Sequence, residues 1–234
     1  MFVYSLDGLK IEGGIPEDAE IEENDTTARS AVYHVLGRLF NVPDQDSRDA
    51  AVAGEWADRL VEAAALLAYP FDFGSASIPD TVDAGAFQTE YLRLFEVGPG
   101  TDGPGAPLYG GVYKTGDRMR QLEEVVRFYE YFGLTTSPED PRPADHLATE
   151  LEFMQYLAFK EAASASPRLQ ASYRRAQGDF LERQLTPWLP ELGSRTEALQ
   201  PMPFWRWAVR TVSAFAAADA EHVRRIIDAP PLEA

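Results

Sequence analysis

Apolar residues recur at intervals of three and four along most of this sequence, and this period limits the possible folds more than any other feature. Val32, Leu36 and Phe40, for example, fall on one face of a helix that ends before Pro43. No segment alternates in the manner of a β-strand except residues 2–6. The sequence predicts an all-α fold, a single helical-bundle-like domain of about seven helices. Besides the first, these helices are expected at residues 46–69, 80–97, 117–133, 167–185 and 203–227 and from residue 146 onward.

Two loops rich in Gly and Pro interrupt the helical pattern, at residues 98–113 and 135–143. The first is longer than most connections within a compact domain, and such loops are often functional. The predicted organisation is a mobile acidic segment at residues 1–24, then one domain at residues 25–234 whose lobes, at about 26–97 and 116–228, share a core.

The composition excludes several classes of protein. A chain of 234 residues with 45% hydrophobic residues can form a soluble folded domain, while a net charge of −17 disfavours nucleic acid as a partner and favours basic partners. The absence of cysteine excludes disulfides, thiolate catalysis and thiolate metal sites. No apolar run is long enough to span a bilayer, and residues 1–7 lack the features of an export signal, so we expect a cytoplasmic protein without stable membrane insertion. The acidic, lysine-poor balance would also suit a high-salt cytoplasm.

The densest group of ionisable residues lies where the helix near residue 146 begins. Asp145 is expected to be the N-cap of a helix that starts at His146, and Glu150 follows one turn later. His146 and Glu150 alone do not complete a metal site, and the sequence contains no serine-nucleophile, phosphate-loop or dinucleotide motif. We therefore expect no catalytic residue, metal or cofactor. Two alternatives remain: a helical enzyme that uses His146 and Glu150 for acid–base or metal chemistry, or a plain helix cap beside a solvated face.

Aromatic and apolar residues are concentrated beside the long loop. Leu108 and Tyr113 follow its glycines, and the preceding helix carries Tyr91 and Phe95. Aromatic side chains next to carboxylates suit a groove for a peptide with basic and apolar parts. The alternative is that Tyr91, Phe95 and Tyr113 belong to the core.

Four motifs in order resemble the TorD/DmsD family of cytoplasmic redox-enzyme chaperones, and the resemblance extends over about residues 26–218. They are EYLRLF at residues 90–95, PLYGGVY at 107–113, VRFYEYFGL at 126–134 and DHLATELEFM at 145–154. The resemblance implies an all-helical, non-enzymatic protein. It further implies binding to the twin-arginine signal peptide and body of a molybdopterin-dependent oxidoreductase, which is held for cofactor insertion and kept from premature export.

The resemblance also indicates where a partner would bind. Carried over by position, the partner contacts are Tyr91, Leu94, Phe95, Tyr113, Asp145, His146, Glu150 and Glu152. An acidic chaperone with an apolar groove would complement both the basic and the apolar region of a signal peptide. Two positions depart from the family pattern: Ala144 replaces the usual proline, and Gly110-Gly111 replaces an acidic residue followed by serine. The long loops are compatible with a monomer or with a dimer that exchanges helices.

Overall fold

The computed structural model describes residues 9–11, 22–97, 103, 105–137 and 142–229. Over these residues the chain forms nine α-helices and one two-stranded antiparallel sheet, which confirms the predicted all-α class. The elements are β1 (Leu9–Ile11), α1 (Asp25–Leu39), α2 (Gln45–Ala53), α3 (Glu55–Ala63), α4 (Ala84–Tyr91), α5 (Arg118–Tyr131), β2 (Leu134–Thr136), α6 (Leu147–Ala163), α7 (Pro167–Phe180), α8 (Leu189–Ala198) and α9 (Pro203–Asp228). The predicted strand at residues 2–6 and most of the predicted mobile segment lie outside the described residues.

Local sequence signals explain where several helices begin and end. The Asn24 side chain accepts hydrogen bonds from the N–H groups of Thr26 and Thr27, and Thr27 Oγ1 accepts one from the Asn24 N–H. This capping box satisfies donors that the first turn of α1 leaves open. At the end of α5, Gly133 adopts a φ of 71°, the left-handed conformation that glycine reaches without a steric cost.

Other boundaries differ from the predicted ones. The helix predicted at residues 46–69 is divided into α2 and α3 by Gly54, which has a φ of 79°. The last turns of the helices predicted at residues 80–97 and 167–185 are π-helical, at Leu92–Glu96 and Leu181–Leu185. Helix α8 is not among the predicted helices. Its Pro190 lies in the first helical turn, where proline is tolerated because the N–H groups of that turn have no partner in the helix.

Helix α6 is the central element of the fold. All residues from 147 to 159 are buried, and α1 and α7 pack against α6. The buried apolar side chains form one cluster with members from residues 32–95 and 106–223. Because α6 is enclosed, the ionisable groups in its first turns lie in the interior. No helix in the described ranges is long and apolar enough to cross a membrane.

A buried ion pair joins helices that are distant in sequence. The Arg29 guanidinium in α1 donates to both carboxylate oxygens of Asp219 in α9, at 2.5 and 2.9 Å. Tyr33 and Tyr69 donate their hydroxyls to the same carboxylate at 2.6 and 2.8 Å, and Arg29 also donates to Gln177 in α7 at 2.7 Å. These bonds fix α1, α7, α9 and the segment after α3 to one another.

Candidate functional site

Backbone hydrogen bonds join the loop before α5 to the segment that enters α6. The Leu147 N–H donates to the Leu108 carbonyl at 2.8 Å, and the Gly110 N–H donates to the Asp145 carbonyl at 2.9 Å. The Gly111 N–H donates to Asp145 Oδ2, also at 2.9 Å. The structure thus brings together two of the motifs, residues 107–113 and 145–154, that the sequence leaves far apart.

The predicted cap of α6 is wrong by one residue. The helix begins at Leu147, and its N-cap is His146, whose Nδ1 accepts a hydrogen bond from the Ala148 N–H at 3.1 Å. Since Nδ1 accepts, a neutral ring carries its proton on Nε2, which lies 3.9 Å from Glu96 Oε1. Instead of capping the helix, the Asp145 carboxylate accepts the hydrogen bond from the Gly111 N–H in the loop before α5. Both side chains are buried, at 4% and 0% exposure.

The two glycines that depart from the family pattern fit their surroundings closely. A Cβ atom on Gly110 would lie 2.9 Å from Nε1 of Trp188, and one on Gly111 would lie 2.9 Å from Oδ2 of Asp145. Carbon atoms do not approach other heavy atoms this closely without displacing them. Glycine at both positions therefore lets the loop pack against Trp188 and Asp145.

Glu150 is a buried carboxyl group in the first turn of α6, bonded to the Trp188 side chain against which Gly110 packs. Its Oε2 accepts a hydrogen bond from Trp188 Nε1 at 3.2 Å, and the residue is fully buried. Burial raises the pKa of Glu150 well above its ordinary value, and the charge of Asp145 raises it further, while Lys114 and Trp188 act in the opposite direction. Burial also lowers the pKa of Lys114, whose Nζ donates to Gln184 Oε1 at 2.6 Å.

The other predicted contact residues are also largely interior. Tyr91, Leu94 and Phe95 are at most 1% exposed, and the Tyr91 hydroxyl donates to the Phe40 carbonyl at 2.9 Å. This burial agrees with the core alternative for Tyr91 and Phe95. Tyr113 is half-buried and stacks on Trp188, with ring centroids 5.3 Å apart.

Glu152 is the remaining predicted contact residue, and its Oε1 lies 3.9 Å from Arg142 Nη2. With Glu152 6% exposed, none of the predicted contact residues except Tyr113 is more than marginally accessible. That these residues contact a partner remains a prediction.

A surface pocket of about 540 Å³ lies next to this buried region. It is lined by Asn41, Val42, Tyr91, Leu92, Glu96, Tyr109 and Arg142.

Both polar and apolar groups are accessible in the pocket. The Tyr109 hydroxyl donates to Glu96 Oε2 at 3.0 Å, Arg142 donates to Asn41 Oδ1 at 2.6 Å, and Val42 is 52% exposed. Burial raises the pKa of Glu96, while Tyr109 and Arg142 lower it. Sequence reasoning did not select Asn41, Val42, Glu96 or Arg142. Glu96 directly follows the first motif, and this position is the one sequence signal that could have identified it as a pocket residue.

The described residues do not contain three His, Asp or Glu side chains grouped to hold a metal ion. His146 already accepts a hydrogen bond from a backbone N–H through Nδ1, and Glu150 accepts a side-chain hydrogen bond from Trp188 Nε1. In this arrangement the two side chains hold the loop and the helix start in place.

Comparison with known proteins identifies the family. A family model described as nitrate reductase delta subunit matches residues 46–193, more than half of the chain. The chain is 35% identical to the selenate reductase assembly chaperone protein of Thauera selenatis, over 73% of this chain and 78% of that protein. It is 32% identical to the chlorate reductase assembly chaperone protein of Ideonella dechloratans, over 74% and 79%.

A more distant relative connects the chain to TorD itself. The chaperone protein TorD of Vibrio parahaemolyticus is 25% identical over 53% of this chain and 59% of its own length. All three relatives are named as chaperones and none as an enzyme. The family resemblance drawn from the four motifs is thereby confirmed: the chain belongs to the TorD-like family that the nitrate reductase delta subunit model describes.

Proposed function

We propose that this chain is a cytoplasmic assembly chaperone for the catalytic subunit of a molybdopterin-dependent oxidoreductase. In this role it binds the twin-arginine signal peptide and the cofactor-free form of that subunit, assists cofactor insertion and delays export. The observation that carries the proposal is the similarity, over about three quarters of the chain, to assembly chaperones of selenate and chlorate reductases. An oxyanion reductase is therefore the client to test first.

The pocket beside Tyr109 supports this role by its chemistry. A signal peptide combines a basic region with an apolar region. Glu96 offers a carboxylate for a guanidinium group, and Val42 and Leu92 offer an apolar wall next to it. The net charge of −17 attracts a basic peptide over a longer range, an attraction that salt weakens.

The alternative of a helical enzyme has less support. The relatives are named as chaperones, and His146 and Glu150 are enclosed and bonded to the backbone and to Trp188. A reacting group would need access to a substrate, which a side chain with no exposed surface lacks.

The test measures binding of a fluorescent twin-arginine peptide to the whole chain and to surface variants. Glu96→Gln and Val42→Asp should each weaken binding about tenfold, since one removes a charge-assisted hydrogen bond and the other places a charge on the apolar wall. Glu221→Gln and Val61→Asp are the matched controls, because Glu221 is 63% and Val61 is 60% exposed outside the pocket.

Two results would count against the proposal in different ways. If the pocket variants and the controls bind the peptide equally well, the peptide site lies elsewhere. If the unaltered chain binds neither this peptide nor the cofactor-free catalytic subunit of a co-expressed oxyanion reductase, the chaperone assignment itself fails.

A further inference from the structure

A cleft of about 820 Å³ between α5 and α7 has a charge opposite to that of the protein as a whole. The chain carries a net charge of −17, yet five arginines and two carboxylates line this cleft. The arginines are Arg120, Arg127, Arg168, Arg175 and Arg183, and the carboxylates are Glu124 and Asp179. The cleft shares no lining residue with the pocket beside Tyr109.

Most of the positive charge in this cleft is not neutralised. Arg183 pairs with Glu124, and Arg127 lies 3.6 Å from Glu123. Within the described ranges, no carboxylate forms an ion pair with the other three cleft arginines, all of which are exposed. They are Arg120, Arg168 and Arg175.

Aromatic side chains form an apolar part of the same cleft. Tyr131 is 79% exposed and packs edge-on against Phe132, with ring centroids 4.9 Å apart. The guanidinium of Arg183 lies over the ring of Phe128, 5.7 Å from its centroid. Arginine and aromatic side chains together are typical of the residues that contribute most to protein–protein binding.

The spacing of the arginines fits a ligand with several separate negative charges. Arg168 and Arg175 are seven residues apart on α7, and Arg120 and Arg127 are seven apart on α5, so each pair spans roughly 10 Å along its helix axis at about 1.5 Å per residue. A single phosphate could reach one member of each pair. Carboxylates two turns apart on a helix, or about three residues apart on an extended chain, could reach both.

We propose that this cleft binds an acidic segment of a partner protein. Its carboxylates pair with the arginines of α5 and α7, and one apolar side chain rests on Phe128 and Tyr131. Nucleic acid is a poorer match because its phosphodiester backbone would continue from the cleft onto an acidic surface, where electrostatic repulsion opposes binding. The proposal does not depend on the signal-peptide site, which requires a ligand of opposite charge.

The experiment uses a synthetic peptide with glutamates spaced two helical turns apart around one phenylalanine, and a second peptide in which every glutamate is glutamine. Binding to the full chain is measured by fluorescence anisotropy at low salt. The acidic peptide should bind, and the double variant Arg168→Ala with Arg175→Ala should weaken its binding about tenfold. The control is Arg59→Ala with Arg210→Ala, which changes the net charge equally at side chains that are 48% and 70% exposed and lie outside the cleft.

Several results would overturn the proposal. One is equal weakening by both double variants, which would indicate attraction to charge in general. Another is equal binding of the glutamine peptide. A third is displacement of the acidic peptide by inorganic phosphate at equal concentration, which would indicate a small-anion site. Since all four substituted arginines are exposed, circular dichroism should confirm unchanged folding, and the variant Arg168→Lys with Arg175→Lys should retain most of the binding.

Discussion

Replacing Asp219 by asparagine tests how much the buried ion pair contributes to stability. Arg29 and Asp219 have side-chain exposures of 1% and 0%. Burial opposes ionisation of the carboxyl, but the charge of Arg29 and the hydrogen bonds from Arg29, Tyr33 and Tyr69 outweigh burial and keep the pKa of Asp219 below its ordinary value. The variant keeps the shape of the side chain, removes its charge and replaces one acceptor oxygen by an NH₂ donor.

The expected loss follows from the four hydrogen bonds that Asp219 accepts. Each carboxylate oxygen accepts two, one from Arg29 and one from a tyrosine. An NH₂ group at either position faces two donors, and each buried donor without an acceptor costs about 1–3 kcal/mol. Leaving Arg29 without its counter-charge costs about 3–5 kcal/mol, which overlaps with these losses. We therefore expect the free energy of unfolding to fall by about 3–5 kcal/mol, a large share of the roughly 5–15 kcal/mol typical of a folded protein.

Urea denaturation followed by circular dichroism measures this change. With a slope of about 2 kcal/mol per molar urea, the midpoint should fall by roughly 2 M. Tyr69→Phe, which removes one of the four bonds, should shift it less. The quadruple variant Arg29→Met, Asp219→Leu, Tyr33→Phe and Tyr69→Phe should be more stable than Asp219→Asn, because it leaves neither a charge nor a tyrosine hydroxyl unpaired. An unchanged midpoint for Asp219→Asn, or a quadruple variant less stable than the single one, would refute the reasoning.

Three further changes have defined outcomes. Burial raises the pKa of the Glu150 carboxyl in the folded state. The stability contributed by the protonated carboxyl is therefore full below the ordinary pKa of a glutamate, about 4.3, and is lost as the pH rises. Glu150→Gln should still accept the bond from Trp188 and should lose less stability than the unaltered chain between pH 5 and pH 8 in urea titrations. Gly110→Ser should cost about 1–3 kcal/mol by thermal unfolding because its Cβ meets Trp188, whereas Gly193→Ser, with no atom within 4 Å of an added Cβ, should cost little. Asn24→Ala should cost about 1 kcal/mol in the same assay through the lost cap of α1.

Local patterns in the sequence predicted most of the helices because the signals are local. The periodic face of α1 and the caps at Asn24 and Gly133 depend on residues within one or two turns. The missed features depend on more than local preference. Gly54 divides a periodic segment without disturbing its apolar spacing, and β1 and β2 pair across more than a hundred residues.

The candidate site was harder to predict because burial is set by tertiary contacts. Asp145, His146 and Glu150 are polar residues at a helix start, a position that favours exposure when only neighbours in sequence are considered. Their burial follows from the packing of α1, α7 and the loop before α5 around α6. The arginine cleft had a visible signal, the seven-residue spacing on α5 and α7, but nothing in the sequence indicated that these two faces meet.

Several residues of the four motifs are buried, and their burial separates a structural role from a partner-binding role, which the family resemblance combines. Residues such as Leu94, Phe95 and His146 are enclosed, so their identity is constrained by packing and by hydrogen bonds to the chain itself, whichever protein is bound. Selection between clients requires side chains that a client can reach. The two surfaces proposed above offer such side chains, the exposed groups of the pocket, such as Val42, and the arginines of the cleft. Exchanging these groups for those of a relative should therefore change which client binds, whereas exchanging interior motif residues should change stability first.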